Sequence, residues 1–250
     1  MSLLTFSALS PLLDSVIAGS LLTTLAEALF PTRCVVCRRK RSLLCSECIG
    51  KLPVLDKEFC LVCDRPAIGG FTHPGCATRY TPERVLSGFW YRSPVPRIVQ
   101  ALKFKGIYPL AAILADLLVE ELGERGVSFG EEVLIVPIPL SFWRKGARGY
   151  NQAELLAQGL GERLRLEVDS SVLQKVKDVE SLAQRNTPRE ERLRRVKGVF
   201  AIKKGEEAAV EGKDILLVDD VWTTGSTLKE AARTLKDAGA KTVWGLTLAR

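Results

Sequence analysis

All seven cysteines of this 250-residue chain fall between positions 34 and 76, six of them in C-x2-C pairs. Cys34-Val-Val-Cys37 is followed after seven residues by Cys45-Ser-Glu-Cys48. Eleven residues further on come Cys60-Leu-Val-Cys63, nine more residues, and then His73-Pro-Gly-Cys76. Each C-x2-C knuckle offers two thiolates to one metal, so two knuckles at close range match a tetrahedral zinc site. His73 is the chain's single histidine and stands where the first cysteine of a fourth knuckle would be. Seven cysteines and one histidine make eight ligands, the number two such sites need. The order predicts Cys34, Cys37, Cys45 and Cys48 on one ion and Cys60, Cys63, His73 and Cys76 on the other, although interleaved ligation fits the spacing too. With every ligand supplied by protein, the zinc is expected to be structural. A disulfide scaffold would be short and secreted, and a thioredoxin-like redox pair would sit alone beside a βαβ unit. Neither description fits.

The rest of the chain is ordinary globular sequence, with 46% hydrophobic residues and 20 Gly and 12 Pro scattered without a period. That excludes a disordered or collagen-like chain, and the length allows one large domain or two unequal ones. The 36 Lys and Arg exceed the 29 Asp and Glu, a net charge of +7 that favours an anionic partner. Arg33, Arg38, Arg39, Lys40, Arg41 and Lys51 surround the first cysteine set with only Glu47 opposing them. Such a cluster suits phosphates or simply solvates the surface.

The first thirty residues contain no Lys or Arg, so the basic start of an export signal is missing. Pro11, Asp14 and Glu27 interrupt the apolar run and leave it too short for a membrane span. Leu13, Ile17, Leu21, Leu25 and Leu29 recur every fourth residue and predict an amphipathic helix that packs on its own protein or on a second copy. Peripheral membrane attachment fits less well, because the polar face has no basic residues. The chain is expected to be cytoplasmic.

From about residue 83 the pattern changes. Strands are expected at 85–91, 133–138, 172–176, 199–202, 215–218 and 242–248, with helices at 110–122, 152–164 and 228–238. This alternation predicts an α/β fold with a parallel, helix-covered sheet. No repeat is evident. Its sharpest feature is Ile215-Leu216-Leu217-Val218 running into Asp219, Asp220, Val221 and Trp222, then Thr223-Thr224-Gly225-Ser226-Thr227. A buried strand ends in two carboxylates, and a loop rich in hydroxyls and glycine leads into a helix. A helix N-terminus exposes unpaired N–H groups and suits a phosphate. The two acids suit a diol or, through water, Mg²⁺. Thr227 and Glu230 also have the spacing of a capping box. The loop lacks the Gly-Lys-Ser/Thr of a Walker A motif, and no G-x-G-x-x-G is present.

The stretch from Val218 to Thr227 resembles the phosphoribosyl pyrophosphate (PRPP) signature of type I phosphoribosyltransferases. With the cysteine module in front, the chain from about Phe30 onwards resembles the ComF/GntX family, which joins a zinc ribbon to such a domain. Leu102-Lys103-Phe104-Lys105-Gly106, Val136-Pro137-Ile138-Pro139-Leu140 and Arg148-Gly149-Tyr150-Asn151-Gln152 also match. A last matching block, residues 192–200, departs at Arg195, where the family pattern has Asn. After the helical lead (1–30), the resemblance implies a double zinc-ribbon module (31–80) and a phosphoribosyltransferase-like domain (81–250). It implies that Thr223, Thr224, Gly225, Ser226 and Thr227 wrap the 5′-phosphate of PRPP, while Asp219 and Asp220 hold the ribose hydroxyls. Pro137 and Ile138 would belong to the loop facing the pyrophosphate, with Arg144 and Arg148 as its charge partners and Mg²⁺ accompanying PRPP. A leaving pyrophosphate needs such cations, and Arg148 stands just before the helix start at Asn151. In 6-oxopurine enzymes an acid in the loop works on the base, but the matching residue here is Thr223. The resemblance further implies a competence role, with a DNA-uptake helicase and single-stranded DNA as partners. Arg185, Arg189, Arg192, Arg194, Arg195, Lys197, Lys203 and Lys204 would suit a nucleic-acid backbone or a solvated surface.

Overall fold

The computed structural model describes residues 32–177 and 197–250. The expected N-terminal helix and the arginines at 185, 189, 192, 194 and 195 lie outside the described residues. The chain divides into two compact units, Met1–Gly50 and Lys51–Arg250, so the first cysteine set falls in one and the second in the other.

In the described part of the first unit, the Cys34 N–H donates to the Arg39 carbonyl and the Arg38 N–H to that of Cys34. Arg38 takes φ 66°, and Arg33 bridges Lys40 in antiparallel fashion. A single helical turn, α1 (Ser46–Ile49), follows Cys45 and carries Cys48. The second unit opens with the same knuckle. The Cys60 N–H donates to Arg65, the Asp64 N–H to Cys60, Asp64 has φ 63°, and Phe59 bridges Pro66. A 3₁₀ turn, Pro74–Cys76, then takes the place of α1 behind His73. The chain therefore contains a repeat after all. It was visible as two C-x-V-C tetrapeptides, but the bond pattern, more than the residues around them, makes the copies equivalent.

Beyond the second knuckle come β1 (Arg84–Phe89), α2 (Val95–Phe104), α3 (Pro109–Glu124), β2 (Leu134–Pro137), α4 (Phe142–Arg148) and α5 (Gln152–Leu164). Then follow β3 (Leu173–Lys175), β4 (Phe200–Ile202), β5 (Asp214–Val221), α6 (Ser226–Asp237) and β6 (Thr242–Ala249). Four strands make one parallel sheet in the order β1-β6-β5-β2. β3 and β4 stand outside that sheet and pair antiparallel with each other. Among the described residues no helix is long and apolar enough to cross a membrane.

Both faces of the sheet are covered, as an all-parallel sheet requires. Ile215 and Leu217 of β5 pack with Leu228, Ala231, Ala232 and Leu235 of α6. Leu216 and Val218, which alternate with them, are equally buried, and α5 lies against both β5 and β2. This two-sided burial explains the unbroken apolar run in β5. The strand does not stop at Val218. Asp219 pairs with Thr247 and Val221 with Ala249 on β6, so both carboxylates belong to the strand itself.

Candidate functional site

Because Asp219 and Asp220 are neighbours on an extended strand, their side chains leave on opposite faces of the sheet. Asp220 follows the parity of Leu216 and Val218. It is 4% exposed, and its Oδ2 lies 2.7 Å from Lys103 Nζ at the end of α2. Asp219 follows Ile215 and Leu217 toward α6. Burial, reinforced by the charge of Asp220, pushes its carboxyl up to about 7 against the opposing pull of Lys103 and Lys175. Its Oδ1 accepts the Asp220 N–H at 2.8 Å. The two carboxyls stand at the carboxyl end of a central strand, the edge at which open α/β sheets bind their ligands.

After Trp222 the chain turns through Thr223 and Thr224 to Gly225, which takes φ 71° and serves as the N-cap of α6 without a side chain. The Thr224 and Ser226 hydroxyls are 3.0 Å apart. The expected capping box does not form. Glu230 instead accepts the Gly198 N–H and pairs with Arg233 at 2.7 Å. With that acid occupied elsewhere, no carboxylate stands in the first turn of α6, at the positive end of its dipole.

The remaining predicted residues surround this loop's strand. The Ile138 N–H, just past β2, donates to the Val218 carbonyl at 2.9 Å, while the Ile138 carbonyl accepts from Asn151 Nδ2 at 2.9 Å. Asn151 also caps α5 by accepting from the Ala153 N–H. The turn after Pro137 and Ile138 is thus tied to the central strand on one side and to a helix start on the other. Arg148 ends α4, donates to Gln152 Oε1 at 2.9 Å and lies over the Phe104 ring at 4.7 Å. Arg144 lies on the same helix. The Tyr150 hydroxyl donates to the Leu102 carbonyl and accepts from the Gly106 N–H, clasping the turn that holds Lys103. Lys103, the cation paired with Asp220, is a residue to which sequence reasoning gave no role. It stood in a matching stretch, but its acidic partner is remote in sequence.

The eight predicted metal ligands gather as two groups, Cys34, Cys37, Cys45 and Cys48, and Cys60, Cys63, His73 and Cys76, each with its donor atoms within 4.8 Å of one another. A tetrahedron with metal–sulfur bonds of ~2.3 Å has edges of about 3.8 Å. Cys37 Sγ lies 3.6 Å from Cys45 Sγ, and Cys63 Sγ lies 3.2 Å from His73 Nδ1. His73 Nε2 donates to the Pro66 carbonyl at 3.0 Å, which leaves Nδ1 with a lone pair for a metal. Burial resists ionisation of Cys34, yet backbone N–H groups at Cys37, Cys45 and Val36 hold its thiol down at about 6. Backbone bonding near Arg65 does the same for Cys63, also about 6. Burial pushes Cys48 up to about 12 and Cys76 up to about 11. Four thiolates, or three thiolates beside an imidazole, gather in so small a space only around a cation, so both groups fit zinc.

A parallel sheet with two strand-end acids and a glycine-hinged loop into a helix defines a phosphoribosyltransferase-type domain. The model of the phosphoribosyl transferase domain matches residues 108–250, and that of the double zinc ribbon domain matches residues 25–78. Among curated relatives, the DNA utilization protein YhgH of Salmonella typhimurium is 32% identical over 85% of this chain and 94% of its own. Competence protein F of Haemophilus influenzae is 30% identical over 88% of this chain and 98% of its own. Competence protein ComFC of Streptococcus pneumoniae is 30% identical over 85% and 90%. The chain belongs to the ComF/GntX family, a double zinc ribbon joined to a phosphoribosyltransferase domain.

Proposed function

We propose that the protein binds PRPP with Mg²⁺ at the β5–α6 loop. The observation that carries this reading is the succession in β5 and α6: Asp219 and Asp220 in strand pairing, Gly225 at φ 71°, and a helix start with no side-chain cap. Residues 223–227 would receive the 5′-phosphate through N–H and hydroxyl donors. Asp219 would take the ribose hydroxyls, joined by Asp220 when Lys103 turns outward to the pyrophosphate. Arg144 and Arg148, with the tethered turn at Pro137 and Ile138, would hold the leaving pyrophosphate. Mg²⁺ would neutralise that group. Each cysteine group would hold one structural zinc, and the chain would work in the cytoplasm. Calorimetry with PRPP and Mg²⁺ tests the reading. Binding that is lost in the Asp219→Asn/Asp220→Asn protein supports it, and unchanged binding in that protein refutes it.

A second reading, in which the protein handles single-stranded DNA beside an uptake helicase, is favoured by its relatives' names as competence and DNA utilization proteins. Lys197, Lys203 and Lys204 are the described part of the basic segment that would track the strand. Affinity for an oligonucleotide that falls steeply with salt supports this reading, and a flat salt response rejects it.

A further inference from the structure

The second zinc knuckle and the phosphate loop meet inside one hydrophobic core. Leu61, between Cys60 and Cys63, is 0% exposed and packs in the same cluster as Trp222 and Leu228. A Cβ added at Gly225 would fall 2.3 Å from Leu61 Cδ1 and 2.9 Å from Trp222 Nε1. Gly225 is therefore required both by its positive φ and by the closeness of Leu61. A second contact repeats the connection. The Arg250 guanidinium lies 3.6 Å from the centre of the Phe59 ring and 4.5 Å from that of Trp222, and pairs with Asp64. Residues 59–64 thus touch the loop at both of its ends, through Leu61 at Gly225 and through Arg250 at Trp222.

We propose that Leu61 is a positioning residue for the phosphate loop, so that metal binding by Cys60, Cys63, His73 and Cys76 and anion binding by residues 223–227 strengthen each other. The PRPP half of this statement rests on the function proposed above; the mechanical half does not. The knuckle's turn is closed by two backbone hydrogen bonds, Cys60 N–H to the Arg65 carbonyl and Asp64 N–H to the Cys60 carbonyl, and a metal held by its cysteines would fix it further. When the metal leaves, Leu61 loses its anchor, and the loop loses the surface that holds Gly225 in its left-handed conformation. Coupling between two binding events is reciprocal, so PRPP must then raise the affinity for the metal by the factor by which the metal raises the affinity for PRPP.

Zinc transfer from the full-length protein to a coloured chelator tests both halves, with Cys60→Ser identifying the phase that belongs to the second set. Without any ligand, Gly225→Ala should speed that phase by about tenfold, because the new Cβ displaces Leu61. An unchanged rate overturns the coupling whatever the ligand is. In the parent, saturating PRPP with Mg²⁺ should slow the same phase by a similar factor, and Leu61→Ala should abolish that slowing and weaken PRPP binding. Leu61→Met should restore both, which a variant that merely unfolded the knuckle could not show. If PRPP binds the parent but leaves zinc release unaltered, the coupling is wrong. If PRPP fails to bind while Gly225→Ala still speeds release, the coupling stands and the ligand assignment falls.

Discussion

Lys103 Nζ lies 2.7 Å from Asp220 Oδ2, and the carboxylate is the more buried partner, with 6% of its side chain exposed against 24% for the lysine. The pair joins the end of α2 to the central strand on the face opposite α6. Removing the lysine leaves a buried carboxylate without its cation, whereas removing both charges leaves only a polar contact. Lys103→Met should therefore destabilise the protein by about 1–3 kcal/mol. Asp220→Asn added to it should recover most of that loss without recovering PRPP binding. Urea unfolding read beside calorimetry separates the two effects. Equal stability of Lys103→Met and the parent would mean that the pair does not organise the site.

Asp219 makes an opposite case, since burial pushes its carboxyl up to about 7. The folded state then holds a proton that the unfolded chain, titrating near 3.9, has already released. Stability from this group is greatest below about pH 4, falls as pH rises, and levels off above about pH 7. Asp219→Asn should consequently gain stability relative to the parent as pH climbs through that window, while losing PRPP affinity. Thermal melts at pH 5 and pH 8 check the sign. Because the diol or Mg²⁺ needs the carboxylate, parent binding should tighten toward pH 8 and release a proton.

Most of the sheet was legible because buried parallel strands are continuous apolar runs, and all six expected strands are present. The continuation of β5 through Asp219, Asp220 and Val221 was not, since acids are depleted in strands and only pairing with Thr247 and Ala249 holds them there. α2 was hidden by Pro94 and Pro96, which read as loop but sit at a helix start, where a missing N–H is harmless. α4 has no apolar repeat to announce it. The site itself was legible where its chemistry is local, in the loop and the knuckles. It was hidden where it depends on contacts between distant segments: Lys103 with Asp220, and Leu61 with Gly225.

Metal content tests the cysteine centres directly. Purified protein should contain two zinc ions per chain, and Cys60→Ser should contain one. Cys34→Ser should unfold the region around the first set, because a segment with so little core relies on metal for its folding energy. Fewer than one zinc per chain in the parent would remove the whole module from consideration.

The last prediction concerns turnover. Type I enzymes separate the anomeric carbon of PRPP from pyrophosphate through a cationic sugar, so they need a neutralised leaving group and a partner that readies the incoming nitrogen. On the function proposed above, the first requirement would be met by Lys103, Arg144, Arg148 and the start of α5. The second is not, because the loop position that is acidic in 6-oxopurine enzymes is Thr223, which is exposed. His73, the only histidine, is among the ligands of the second metal group. General acid–base help contributes about 10²–10⁴-fold to such reactions. PRPP with Mg²⁺ should therefore bind tightly but be transferred to common purines and pyrimidines slower by that order than in an enzyme with a loop acid, and its hydrolysis should be modest. Thr223→Asp, which restores an acid, should raise transfer to a 6-oxopurine when turnover is read at saturating PRPP. A nucleobase panel followed by pyrophosphate release decides the matter: rapid turnover on any standard base would make the protein a plain transferase and remove Thr223 from the explanation.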